Sequence, residues 1–475
     1  MTGCWGCIRK LARRIPACHL APWVAMNEPG FLVRGGNVVT MNATREVISD
    51  GAVLVSEQRI GAIGTFAELR RTWPDAEVIG SSSALVTPGY INAHQHLTGD
   101  RLVNSCIPDA IDAQQAIFGW AIPIHGGHTP DDDQLSATLA AVAAVTNGIT
   151  CTVEAGTVAH PARVAAAMQA VGLRGTLGQW GWDVDDAPFA APADEVIDRQ
   201  RAQLDLLPPG GLVEGWVTLV GHDLMSDELV VGASELARTR DVGISFHMSP
   251  HSGDAISYLA RTGRRPMVHL DSLGALGSHV LVAHGVHLDD EEVEVVLRTR
   301  TAIASCPWAY LRLAQGVTTA GRHGELLLRG GRLAIGCDSE NAGDAVDVIR
   351  AAALFVGLER DRSGDPFSIT AQQGMELITI GGAEAIGKAT SIGSLEVGKQ
   401  ADLVVHDTSG ASWTPPSNDP VRQLIWGSDG RSVNDVVIAG QPVVRDRRCV
   451  TVDIDALRGE ALDRRDHFLT LHSQR

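Results

Sequence analysis

A chain of 475 residues is too long for one ordinary hydrophobic core, and two domains fit it if one is an α/β barrel of about 250 residues. It is 44% hydrophobic and 20% charged, with no apolar run long enough to cross a bilayer, which reads as a soluble globular protein. The formal net charge of −17 excludes nucleic acid and an anionic membrane as main partners, because either demands clustered Lys and Arg.

Residues 1–25 carry Arg9, Lys10, Arg13 and Arg14 followed by weakly apolar sequence, without the core of a signal peptide. They are read as a disordered extension, or as the result of a start assigned too early, since a strand pattern begins only beyond Met26. The eight cysteines are scattered, so a disulfide framework is not expected and a reducing cytoplasm is. Cys4 and Cys7 have the spacing of half a zinc site, with no second pair to complete it.

Residues 26–88 include short alternating strands broken by Gly, Asn and Asp turns, as in FLVRGGNVVTM and GAVLVSEQRIGAIG. The same style returns in residues 389–450, in GSLEVGKQADLVVHD and VNDVVIAGQPVV. The two ends are expected to build one composite β-sandwich domain.

Residues 89–388 change to a strand, loop, helix rhythm. Strands are expected to end near Ala93, Glu154, Trp180, Val220, His247, His284, Ser305 and Asp338, which makes a (β/α)8 barrel, TIM-like in architecture. Helix starts are legible in two places. Thr129 is an N-cap with Pro130 behind it and Gly148 as the stop, and Asp289 with Glu292 has capping-box spacing. Residues 97–128 are too long for a simple connection, so they are read as an insertion over the barrel mouth. Residues 451–475 are left as a C-terminal tail.

The first barrel strand runs through TPGYINAHQHLTGD. Residues two apart on a strand face the same way, so His94 and His96 can approach one point. Such a pair is common by chance. Three further residues, His247, His284 and Asp338, fall at the ends of strands five, six and eight, on the face where barrels build active sites. Three imidazoles and a carboxylate suit a borderline divalent ion such as zinc with one open position.

From about Phe31 to Arg445 the chain resembles the amidohydrolase superfamily, in the branch of triazine hydrolases and of cytosine, guanine and S-adenosylhomocysteine deaminases. The pieces that carry the resemblance are TPGYINAHQH, GHDLMSDEL, VLVAHGVHLDDEE, SCPWAYLRLAQG, GCDS and IGSLEVGKQADLVV. It implies a metal-dependent hydrolase cleaving a carbon–nitrogen bond in a small heterocyclic or amide-like molecule. It implies one divalent ion, Zn2+ or alternatively Fe2+, on His94, His96, His247 and Asp338. Asp338 would also accept the proton of the attacking water, and His284 would hydrogen-bond that water or polarise the substrate. His222 matches a substrate-contacting position, unless it merely sits before the helix capped by Ser226.

One position departs from that pattern. Ring deaminases of the branch have a glutamate three residues after the strand-five histidine, and here that residue is Pro250, which has no side-chain proton to give. Glu154, His251 and Asp254 are the candidate replacements, with Glu154 favoured because it ends a strand; a structural ion pair for Glu154 and a solvated loop position for His251 are the plain alternatives. Trp180, Trp182 and Trp308 either stack a flat ring or pack the barrel rim. Cys306 and Cys337 are expected to be packed small residues. Deamination leads over loss of a halide or alkylamine, and over a non-catalytic ligand-binding protein. A homodimer or higher homo-oligomer is expected.

Overall fold

The computed structural model describes residues 30–98, 100–184, 187–343 and 345–473. The extension expected at 1–25, with Cys4, Cys7 and Cys18, lies outside the described residues, as does Met26.

The chain opens with β1 (Phe31–Val39), β2 (Val47–Ser56), β3 (Arg59–Thr65), β4 (Val78–Gly80) and β5 (Ala84–Pro88). The barrel strands follow: β6 (Tyr90–Gln95), β7 (Ile149–Glu154), β8 (Arg174–Leu177), β9 (Val213–Gly215), β10 (Val217–Gly221), β11 (Ile244–Met248), β12 (Val280–His284), β13 (Ala302–Ser305) and β14 (Arg332–Ile335). Their residues are almost all buried, as parallel strands covered by helices must be.

Parallel pairing runs β6–β7–β8–β9 and then β10–β11–β12–β13–β14. β9 and β10 are one chain segment interrupted at Trp216, whose N–H turns to the carbonyl of Leu177 at 2.9 Å. The ring closes where Asp338 donates its N–H to the His94 carbonyl at 2.9 Å and Gln95 bridges Asp338. The product is an eight-stranded barrel.

Two strand ends differ from expectation. The third strand stops at Leu177, short of Trp180, because the Gln179 carbonyl is taken by the Gln200 and Thr218 side chains at 2.7 and 2.8 Å instead of by a neighbouring strand. The eighth stops at Ile335, and Asp338 beyond it adopts φ 66°, which extended backbone does not allow. The helix starts agree with the sequence: Thr129 and Asp289 each form a reciprocal capping box, and the first helix ends at Thr146 before Gly148 at φ 81°.

The chain ends in β15 (Leu403–Asp407), β16 (Val433–Ile438), β17 (Gln441–Arg445) and β18 (Arg448–Cys449). β15 pairs with β5, joining both ends of the chain in one nine-stranded sheet. Ile60 of β3 exchanges backbone hydrogen bonds with Lys399 and Gly398, just ahead of β15. The sheet therefore curls on itself, and the sandwich core of Val33, Val53, Ile79, Leu403 and Val437 fills the inside.

The segment expected as a C-terminal tail contains a helix, Ile454–Ser473. Ile454, Leu457, Ala461 and Phe468 form its packed stripe, at the 3.6-residue period of an amphipathic helix. Among the described residues no helix is long and apolar enough to cross a membrane.

Candidate active site

Strand alternation puts His94 and His96 on one face at the end of β6, and their rings meet edge to face with centres 5.3 Å apart. His247, at the end of β11, brings its Nε2 to 3.3 Å from that of His96. Asp338 Oδ1 lies 3.6 Å from His94 Nε2 and 3.4 Å from His96 Nε2, and His284 Nδ1 lies 4.0 Å from Asp338 Oδ2. Donor atoms of His94, His96 and His247 all fall within 4.8 Å of one another, as do those of His94, His284 and Asp338. Five residues from strands far apart in sequence thus converge on one point.

A second layer aims these side chains. His247 donates Nδ1–H to the Val220 carbonyl at 2.7 Å, which leaves the Nε2 lone pair facing the cluster. His96 Nδ1 lies 3.0 Å from Thr157 Oγ1. Two glycines let the backbone come close enough: a Cβ on Gly336 would meet His94 Cβ and Cys306 Sγ at 2.8 Å, and one on Gly221 would meet the His247 carbonyl at 2.0 Å. His222, Ser249, His284 and Asp338 all hold positive φ, between 52° and 82°. Non-glycine residues pay to be there; His284 is the last residue of its strand, His222 and Ser249 directly follow theirs and Asp338 lies three residues past its own, where the chain turns at the barrel mouth.

The ionisation pattern suits a cation. Burial pushes the pKa of His94 down and that of His284 down to about 3, while burial and the neighbouring imidazoles hold His247 well below its ordinary value. Burial works to raise Asp338, but the close approach of His94, His96 and His284 outweighs it and holds the carboxyl well below the usual range. Neutral imidazoles around an ionised carboxylate make a ligand set for a divalent ion. His94 Nε2 is buried without a hydrogen-bond partner, a costly state for a lone pair, and a metal ion would satisfy it. The residues present fit the group.

Above the cluster lies a cavity of about 420 Å³. His96, His247, His284 and Asp338 contribute to it, with Trp180, His222, His251 and Asp254 around them. The insertion after β6 contributes Ile117, Phe118, Ile122 and His125, so it does line the barrel mouth. His222 donates Nδ1–H to Asp254 Oδ2 at 2.9 Å, and Asp254 also accepts the Ser249 N–H at 2.6 Å. Burial works against charge on His222, but Asp254 outweighs it and raises the pKa above its ordinary value.

Three sequence expectations need correction. Glu154 does not line the cavity: it is 1% exposed, and its carboxylate accepts the Gly156 N–H at 2.6 Å and the Thr157 N–H and hydroxyl at 3.4 and 3.3 Å. It braces the loop that touches His96. Trp182 lies behind Trp180, stacked on it at 5.1 Å, with its indole N–H donated to Pro188. Trp308 borders a separate surface cleft with Ile107 and Leu311, and Arg350 sits over its ring at 4.9 Å. Cys306 and Cys337 are buried, as expected.

The sequence reading missed His125 and the pairing of Asp254 with His222. His125 stands in IPIHGGHTP, where a second histidine three residues on was the available signal. Only the fold reveals that one of the two enters the cavity and the other, His128, pairs with Asp133 at 3.0 Å.

The model of the amidohydrolase family matches residues 85–443, and that of a bacterial imidazolonepropionase-like composite domain matches residues 51–76. A 5-methylthioadenosine/S-adenosylhomocysteine deaminase of Natronomonas pharaonis is 30% identical over 440 residues, covering 90% of this chain and 96% of its own. An adenosine deaminase from Xanthomonas campestris, solved with bound zinc, superposes with a TM-score of 0.87 at 26% identity, covering 93% of this chain and 99% of its own. An atrazine chlorohydrolase from Arthrobacter aurescens TC1, complexed with zinc, is alike in fold, with a TM-score of 0.84 at 22% identity over 92% of this chain and 100% of its own.

Proposed function

The chain belongs to the amidohydrolase family and is a metal-dependent hydrolase of carbon–nitrogen bonds, and we propose that it deaminates a 6-aminopurine nucleoside with zinc as the ion. The observation that carries the reading is the convergence of His94, His96, His247 and Asp338 beneath a cavity walled by Phe118, Ile122 and Trp180. The named activities of the deaminase relatives, and the zinc of the adenosine deaminase, supply the substrate class and the metal.

His94, His96, His247 and Asp338 would hold the ion. Bound there, a divalent ion supplies Lewis acidity, which brings the pKa of a water molecule towards neutrality. Asp338, kept ionised, accepts the proton that the attacking water gives up. His284, kept neutral by burial, hydrogen-bonds the attacking oxygen. Trp180 and Phe118 take the flat ring between apolar surfaces and keep bulk water away.

The proton for the ring, which Pro250 cannot give, comes from His222 or His251, both of which line the cavity. Burial lowers the pKa of His251, whereas Asp254 raises that of His222, so His222 is the better supplied with a proton near neutral pH. This reading replaces the Glu154 expectation. Among the described residues all five cysteines are unpaired, which supports a reducing, cytoplasmic setting. A homo-oligomer remains part of the reading, to be measured by light scattering.

Zinc-loaded protein is incubated separately with adenosine, 5′-methylthioadenosine, S-adenosylhomocysteine, guanine, cytosine and a chlorinated triazine. Ammonia release and the corresponding mass change are followed. The expected result is ammonia from a 6-aminopurine nucleoside. Release of chloride without ammonia favours a second reading, which Pro250 supports: displacement of a group that departs without being protonated.

A further inference from the structure

The insertion over the barrel mouth has two sides. Its inner side gives Ile117, Phe118, Ile122 and His125 to the cavity. Its outer side lies against the C-terminal helix Ile454–Ser473, where Phe468, 2% exposed, packs with Leu102, Val103 and Ile124. The indole of Trp120 stacks on His472 with ring centres 3.5 Å apart.

The helix is also fixed to the barrel. Arg464 donates two hydrogen bonds to Asp132 at 2.5 and 2.8 Å, and its guanidinium lies 5.1 Å from the Phe468 ring. Asp132 belongs to the capping box that starts the first barrel helix, Pro130–Thr146. The helix therefore bridges a rigid element and the insertion.

The insertion has little helix of its own. It holds the turn Asp100–Val103 and one continuous run, in which the π-helical turn Gln115–Ala121 passes directly into Ile122–Gly126. A run of about a dozen residues is marginal by itself in water, so what it packs against determines where it sits. Ile124 faces Phe468, and the next residue, His125, enters the cavity with its ring 6.5 Å from His96 and 5.8 Å from Trp180.

We propose that the C-terminal helix is the positioning element for the substrate-facing wall of the cavity, and that Phe468 and Arg464 are its positioning residues. They touch neither substrate nor metal ligand. The ligands stand on β6 and β11 and after β14, outside the insertion, so loosening the helix spares metal binding. It displaces the wall that encloses the substrate, which weakens binding more than it slows the chemical step.

The test uses full-length Phe468→Ala, Arg464→Ala and Arg464→Lys. It reads amide exchange across residues 101–126, zinc content, melting temperature, and KM and kcat for 5′-methylthioadenosine. In Phe468→Ala and Arg464→Ala, exchange in that segment rises about tenfold and KM rises about tenfold, kcat stays within about threefold, and zinc content is unchanged. Arg464→Lys falls between wild type and Arg464→Ala, since lysine keeps the charge but loses the paired hydrogen bonds. A Phe468→Ala protein that melts like wild type and shows unchanged exchange in residues 101–126 overturns the proposal. If Phe468→Ala does not fold, His472→Ala is read by the same two outcomes. The exchange result needs no substrate, so failure of this proposal and failure of the nucleoside reading are told apart.

Discussion

Asp338 is asked to do two things, and both depend on its carboxylate. Replacing it by Asn keeps the shape and removes the charge and the proton acceptor, so turnover is expected to fall by at least about a hundredfold. Activity within about tenfold of wild type would refute its role. His96→Ala, which removes one ligand from a set of four, should lose metal and activity together; stoichiometric metal in that protein would sink the ligand assignment. Glu154 makes a different prediction. Because it braces Thr157, which meets His96, Glu154→Gln should weaken metal affinity by about ten- to a hundredfold, yet leave kcat near wild type once metal is saturating. That His94, His96, His247, His284 and Asp338 gather at one end of the barrel was legible in the sequence, because strand-end position and two-residue alternation are local properties. The direction of Glu154 was not, because the amides of Gly156 and Thr157, with the Thr157 hydroxyl, settle it and no side-chain pattern encodes that loop.

The same division appears in the elements. Both helix starts were readable, Thr129 as an N-cap and Asp289 with Glu292 as a capping box, because each signal lies within four residues. The end of β8 was not, since Gln200 and Thr218, on other elements, capture the Gln179 carbonyl. The C-terminal helix went unread because its apolar residues are spread around it, with Leu462 and Leu471 exposed, and the surface it covers belongs to the insertion, more than three hundred residues earlier in the chain. Its attachment has a definite pH dependence. Burial works to raise the Asp132 carboxyl, but hydrogen bonds from Arg464 and Thr129, with the charge of Arg464, hold it below its ordinary value. A depressed carboxylate contributes stability that is fully present above its unfolded value, near about pH 4, and is lost as pH falls through the lower folded value. The protection factor of residues 454–473, taken against the intrinsic amide exchange rate at each pH, should therefore stay high from neutrality down to about pH 4 and fall below it. In Arg464→Ala it should be low already at neutral pH and change less on acidification. A wild-type helix whose protection factor is indifferent to acid would remove this pair from the attachment.

At the scale of the whole molecule, the barrel was legible because it repeats a local unit, whereas the sheet that joins the chain's ends depends on β5 finding β15. The proposed metal ligands lie across the barrel in the same long-range way, from β6 to β11 to the turn after β14. An ion bound there acts as a cross-link between the first, fifth and eighth strands. Anything that binds only the folded state stabilises it by mass action, and free metal at a hundred times its dissociation constant is worth about 2.7 kcal/mol. The described residues hold two overlapping ligand groups around one point, so one ion per chain is expected by elemental analysis. The barrel has an extensive hydrophobic core of its own, with Val217, Val282 and Ile303 among its residues, so chelation should lower the melting temperature without unfolding the barrel at room temperature, and added zinc should restore it. His96→Ala should show little difference between chelated and zinc-treated samples. A wild-type protein whose melting temperature ignores both chelator and zinc would mean that this cluster does not hold the ion.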